Sequence, residues 1–167
     1  FPRGLGREHV DRARELMGAR ATEAGRSMED VDVWSIACLD VSARRAAAFE
    51  KLGNILGFVA SYILGPDPVG RGVPAELVPA VRELRATYTT RQREMDPELV
   101  KRLGLFDYLR KRLAIAGTPD DCVAQVRAAE AAGATQLMFT VSLAADPVGT
   151  VEPFGREVLP VLTRANK

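Results

Sequence analysis

Histidine and tryptophan each occur once in this chain, and cysteine twice, at Cys38 and Cys122. Each scarcity removes a class of chemistry. Two cysteines build neither a disulfide scaffold nor a thiolate metal cage, so no metal site is expected. A single histidine, His9, forms no triad without a neighbouring nucleophile. Charge of one sign is also lacking: 23 basic residues face 22 acidic ones, a net +1 at neutral pH. No nucleic-acid partner is expected from that balance, and "RKR" at Arg110 to Arg112 is too short to make a polyanion groove. The longest apolar run, "ILGFVASYIL" from Ile55 to Leu64, is about half of the roughly 20 residues of a membrane span. The chain opens on Phe-Pro-Arg-Gly without a charged and then apolar leader, so the expected setting is a reduced cytoplasm with no membrane partner.

What is present is a repeated unit. At 167 residues the chain is long enough for one sizeable core and is expected to be a single domain, 1–167. From Glu8 to Ala24 the positions Val10, Ala13, Met17, Ala21 and Ala24 recur at helical spacing, and Gly25 closes that helix. "VWSIACL", Val33 to Leu39, is short, β-rich and apolar on both faces, the pattern of a strand covered on two sides. Ser42 is placed to cap a long helix with Ala46, Phe49, Leu52, Leu56, Val59 and Ile63 on its buried stripe. "GPDPVGRGVP", Gly65 to Pro74, reads as a surface loop. It starts a helical insertion over about residues 65–112, with one helix marked by Leu77, Val81, Leu84 and Tyr88. Asp96-Pro97 opens a second helix running to Arg112.

A second strand, Leu113 to Ala116, then runs into a helix with almost no loop: "LAIAGTPDDC". Thr118 is the expected N-cap, Pro119 the first helical residue and Asp121 the reciprocal partner of the cap. That helix stops at Gly133, "TQLMFTV" makes a third strand over Thr135 to Val141, and a last helix is kinked or ended near Pro160. Three strand-to-helix units require a parallel sheet, because a crossover helix is what joins parallel neighbours. The expected fold is therefore α/β, either a small sheet or the carboxyl-terminal half of a (β/α)8 barrel. In both architectures ligands sit at the carboxyl ends of the strands. Gly117 lets the backbone approach closely there, and the helix starting at Pro119 turns its positive end towards an anion. Capping alone is the competing reading of Thr118.

"LAIAGTPDDCVAQVRAAEAAGATQLMF", with "GREVLPVL" after it and "FPRGLGREHVDRARELMGARATEAGRSMEDVDV" at the start, resembles the luciferase-like monooxygenase superfamily. The likeness is strongest to the carboxyl-terminal half of its branch dependent on deazaflavin coenzyme F-420, similar to methylenetetrahydromethanopterin reductase and to the F-420-using glucose-6-phosphate dehydrogenase. It implies a (β/α)8 barrel with the cofactor across the carboxyl ends of the strands. It also implies an oxidoreductase moving hydride to or from a small organic substrate. An FMN-dependent monooxygenase is the alternative within the same fold, and a non-catalytic half-barrel serving association is the alternative outside enzymes. By the resemblance the first half of the barrel, with the catalytic residues, is not in this chain, so the segment alone is expected to be inactive. Its sheet edge and apolar surface are expected to be joined to the other half or to a second copy.

The resemblance also places residues. The loop Pro2-Arg3-Gly4-Leu5-Gly6 matches one that gives a threonine and a lysine to substrate phosphate in the sugar-phosphate members. Pro2 and Leu5 stand in those places here, which argues against a sugar phosphate and leaves Gly4 and Gly6 as backbone contacts to the cofactor. Arg112 matches a phosphate-contacting arginine and is assigned to substrate. Barrel geometry adds Thr140 and Ser142, at the exit of the third strand, to the cofactor set with Gly117 and Thr118, and adds Asp40, at the exit of the first, to the substrate set. His9 is expected to be a solvated helix residue, Cys122 and Trp34 packed ones, and Asp120 and Asp121 capping groups.

Overall fold

The computed structural model describes residues 1–87, 96–141, 144 and 146–164. Tyr88 and Ser142 lie outside them. The first helix, α1 (Arg7–Glu23), starts at Gly6 and buries Val10 and Ala21. A 3-10 turn over Met28–Asp30, capped by Ser27, leads into β1 (Trp34–Val41), which is buried everywhere except Trp34. Trp34 is 44% exposed, so the sole tryptophan is not the packed residue expected.

Two helices follow β1 where one was expected. Helix α2 (Arg45–Lys51) begins without a side-chain cap, and Ser42 instead donates its hydroxyl to Asp40 at 3.0 Å. At Leu52 the chain bends by 64° into α3 (Gly53–Leu64). The bend falls where Pro97 crosses: a Cβ on Gly53 would stand 2.0 Å from the Pro97 carbonyl oxygen. After α4 (Val78–Thr87) comes the segment opened by Asp96, broken into α5 (Leu99–Arg102) and α6 (Phe106–Leu113) around Gly104 at φ +67°. Among the described residues no single helix is long and apolar enough to cross a membrane, and α3 is packed in the core.

Strand β2 (Ala114–Gly117) runs directly into α7 (Pro119–Ala131). The expected capping box is formed: Asp121 N–H donates to Thr118 Oγ1 at 3.3 Å and Thr118 N–H to the Asp121 carboxylate at 3.0 Å. Removing one half of it with Thr118→Ala is expected to lower stability by about 1 kcal/mol. Urea unfolding measures this, and an unchanged midpoint would mean that α7 is held by packing alone. Strand β3 (Gln136–Thr140) and α8 (Pro147–Pro153) come next. A π-helical turn over Phe154–Val158 then leads into α9 (Leu159–Arg164). The irregular turn precedes Pro160, whose ring nitrogen has no hydrogen to offer the previous turn.

All three strands are parallel, in the order β2-β1-β3. The carboxyl half of β1 pairs with β2, from Cys38 opposite Ala114 to Val41 opposite Gly117. Its amino half pairs with β3, from Trp34 opposite Gln136 to Cys38 opposite Thr140. The α/β class, the three parallel strands and the helical insertion are those the sequence implies. The order differs from that of a closed barrel, in which strands consecutive in the chain are neighbours.

Alternation along β1 sorts the core into two layers. Ile36 and Cys38, with Ala114 and Ala116 of β2, face Leu56, Val59, Leu84, Leu105 and Leu109 of the insertion side. Ala37, Leu39 and Val41, with Ile115, face Cys122, Val123 and Val158 on the other side. Helices of the chain cover both faces of β1 and β2, while β3 stays exposed to half-buried and Val148, Val151, Leu159 and Val161 of the carboxyl-terminal helices are exposed.

Candidate functional site

Two groups of polar residues stand at opposite ends of the sheet. The first is organised by Arg112, in the last turn of α6 ahead of β2, 4% exposed. Its Nε donates to Arg3 O at 2.7 Å and its two terminal nitrogens to Gly72 O at 2.8 Å and Arg71 O at 2.6 Å. It also donates to the Tyr108 hydroxyl and lies 5.6 Å from that ring's centre. Gly70 and Gly72, at φ +72° and +69°, give the turn that presents these carbonyls. The Arg112 carbonyl in turn accepts from Leu5 N–H at 2.9 Å. One guanidinium therefore ties the amino-terminal loop to the Gly65–Pro74 loop.

Beside this clasp opens a cavity of about 740 Å³ lined by Arg3, Glu8, His9, Arg12 and Arg71, with Leu16 and Met17 as apolar wall. Its charge is unbalanced. Arg12 is answered by Glu15 at 3.1 Å, whereas Arg3 and Arg71 form no ion pair among the described residues, and Glu8 is the one carboxylate among the cavity's described lining. Burial, then the charges of Arg71 and Arg112, push the Arg3 pKa down. Burial, then Arg112, also pushes His9 down from its usual value, against a smaller upward pull from Glu8, 3.3 Å from Nε2. His9 is nearly enclosed, its side chain 12% exposed, and is not the solvated residue expected. A surplus of guanidinium charge in a partly dry cavity favours an anionic ligand.

The second group lies at the carboxyl ends. Asp40 is buried, its pKa raised first by that burial against the opposing effects of Ser42 and Lys51. Lys51 Nζ stands 3.7 Å from Asp40 and 3.3 Å from Ser42 Oγ. Across the strand ends Arg45 holds Asp121 through Nε at 2.9 Å and a second, shorter contact, which with the capping bonds depresses the Asp121 carboxyl far below its usual range. The Cys122 thiol is pushed up to about 12 by burial, then by Asp121 and Asp40, as befits a packed core residue.

The expected site residues divide between these groups. Gly4 and Arg112 meet at the cavity end: a Cβ on Gly4 would touch His9 at 2.2 Å and Arg112 at 2.9 Å. Gly6 precedes α1 and accepts from His9 and Val10 N–H. Asp40, Gly117 and Thr118 share the carboxyl end, where a Cβ on Gly117, at φ +140°, would stand 2.6 Å from the Asp121 carboxylate. Thr140 ends the edge strand β3, on the other side of β1 from them. Arg71 was not singled out in the sequence; its signal was a lone arginine between two glycines, in a stretch that looks like plain surface loop.

The sequence profile of luciferase-like monooxygenases matches residues 1–136. The chain belongs to that family. Among curated family relatives, the 5,10-methylenetetrahydromethanopterin reductase of Methanopyrus kandleri is 26% identical over 145 residues, covering 84% of this chain and 38% of the reductase. The enzyme of that name from Archaeoglobus fulgidus is 26% identical over 154 residues, covering 90% of this chain and 44% of its own. The solved coenzyme F-420-dependent tetrahydromethanopterin reductase of Methanopyrus kandleri superposes with a TM-score of 0.67 at 22% identity, over 95% of this chain and 43% of that one. The family likeness extends through the fold, and the chain spans less than half the length of these relatives.

Proposed function

We propose that this chain is the carboxyl-terminal part of an F-420-dependent oxidoreductase that moves hydride to or from a small organic substrate, and that the Arg3–Arg71 cavity holds an anionic group of the cofactor or substrate. The observation that carries it is that cavity: Arg3, Arg12 and Arg71 line it with Glu8 as the one carboxylate, and Arg3 and Arg71 are in no ion pair among the described residues, in a family whose curated relatives include methylenetetrahydromethanopterin reductases. When bound, the deazaflavin would supply the hydride chemistry. The chain's own contribution is to bind and orient. Arg112 fixes the two loops, Arg3 and Arg71 supply charge, and His9, kept neutral by burial, is ready to take a proton as an anion enters. Gly4, Gly6, Gly117, Thr118, Thr140 and Ser142 remain the proposed cofactor set and Asp40 a proposed substrate contact. Arg112 acts on the substrate through the loops it holds. A cytoplasmic setting and association with the other barrel half or a second copy complete the proposal.

Titrating F-420 fluorescence with the chain tests it. Replacing both Arg3 and Arg71 by Gln is expected to weaken binding about tenfold or more, which corresponds to about 1.4 kcal/mol. The loss should shrink at high salt. FMN binding more tightly than F-420 would favour the monooxygenase reading, and binding of neither at any salt would favour the association module.

A further inference from the structure

The His9 ring fills the gap between two loops. Its Cδ2 side lies against Gly4 of the amino-terminal loop, where a Cβ would overlap it, and its Cε1 side lies against Gly72, where a Cβ would stand 3.1 Å away. Arg112 spans the same junction: it serves Arg3 O and accepts from Leu5 N–H on one loop, and donates to the Arg71 and Gly72 carbonyls on the other. A fixed cation and a titratable ring therefore close the amino-terminal loop onto the Gly65–Pro74 loop together.

The groups around the ring are mostly of one sign. The amino-terminal loop brings Arg3 and Phe1 with its amino group, α1 brings Arg12 and Glu8, the Gly65–Pro74 loop brings Arg71, and α6 brings Arg112 with the Tyr108 phenol. Glu8, 3.3 Å from Nε2, is the one acid in this set and its side chain is 74% exposed, while Glu15 is already taken by Arg12. A proton on the enclosed ring is thus opposed by neighbouring guanidinium groups and favoured only by a carboxylate that water screens.

We infer that His9 is a proton-operated latch: neutral, it holds the amino-terminal loop and the Gly65–Pro74 loop together, and protonated, it lets them part. Burial, then the Arg112 charge, sets the direction by lowering the pKa of the enclosed ring. With the loops apart the ring returns to its ordinary value near 6.5, so the open form takes up its proton first as pH falls. The closed form keeps its full advantage above about pH 6.5 and loses it progressively below, until the closed ring is protonated too. Arg3 and Arg71 stand one on each loop, so opening would also separate the two guanidinium groups of the cavity. The latch itself does not depend on what that cavity binds.

NMR and native-state hydrogen exchange on the ligand-free chain test it. His9 is the sole histidine, so a single imidazole titration is observed, and its midpoint is expected below the ordinary value of about 6.5. The Leu5 amide, bonded to Arg112 O, is expected to be less protected than that of Leu39, opposite Ile115 in the sheet, because the loops part while the strands stay paired. With intrinsic exchange rates divided out, Leu5 protection should fall several-fold, about tenfold at most, from about pH 7.5 to about pH 5.5. His9→Gln, neutral at every pH, should flatten that dependence; if this variant does not fold, the parent's titration and protection still decide. An imidazole midpoint at or above the ordinary value, flat Leu5 protection in the parent, the same fall in His9→Gln, or Leu5 protected as strongly as Leu39 would each overturn the latch. Failure of F-420 to bind leaves all of these readings unaffected, so the two proposals fail separately.

Discussion

Arg112→Met is expected to destabilise the chain by about 3 kcal/mol, because it strips donors from the Arg3 and Arg71 carbonyls and leaves the Gly72 carbonyl only the Tyr108 hydroxyl, at 3.1 Å. The carbonyls of Arg3, Arg71 and Gly72 converge on one guanidinium, and no other described side chain reaches all three. Arg112→Lys should recover less than half of the loss, since an ammonium is a point charge and cannot span a fork of acceptors. Urea unfolding with both variants measures this. Arg3→Gln is the control: its side chain faces the cavity, so stability should stay within about 0.5 kcal/mol of the parent. If Arg112→Met unfolds at the parent's midpoint, the two loops are held by something other than the clasp.

Gly53→Ala is expected to cost about 2 kcal/mol or more, even though alanine is the better helix former. The obstacle at 2.0 Å is the Pro97 carbonyl, main chain that cannot swing away as a side-chain tip can. Relief would require either α3 or the Asp96–Glu98 segment to shift, and α3 carries Leu56, Val59 and Ile63 into the main core. Gly155→Ala supplies the comparison. Nothing lies within 4 Å of a Cβ there, so that change should be neutral or stabilising by about 0.5 kcal/mol. Thermal unfolding of the pair separates close packing from propensity, and equal effects would remove the packing explanation.

How far the sequence could be read follows from how local each signal is. The Thr118-Pro119-Asp121 box lies within four residues and forms as expected. The apolar runs at Val33 and Leu113 become the two buried strands, within a residue or two at their ends. The break at Leu52–Gly53 was not legible, because the helical stripe continues through it and the cause, Pro97, is remote in the chain. Strand order was equally out of reach: apolar alternation says that a strand is buried, not which edge it takes. In the candidate site, Arg112 could be named from its family position but not its set of carbonyl acceptors. The Arg3–Arg71 surplus depends on two loops meeting, which neither loop's composition reveals. His9 and Trp34 exchanged their expected environments for the same reason, one enclosed by a neighbouring loop and the other left at the open start of a strand.

The central place of β1 has a consequence for how the chain reaches this structure. Neither β2 nor β3 pairs with the other, and both wait for a strand made much earlier. Of the strands in this chain, the first that β1 pairs with is β2, which begins at Ala114, beyond α2 to α6. Sheet formation made wholly of distant pairings is slow and exposes intermediates to aggregation. Helices that collapse onto β1 would cover its face until β2 is made, so the insertion is the shield that this chain itself provides between the two strands.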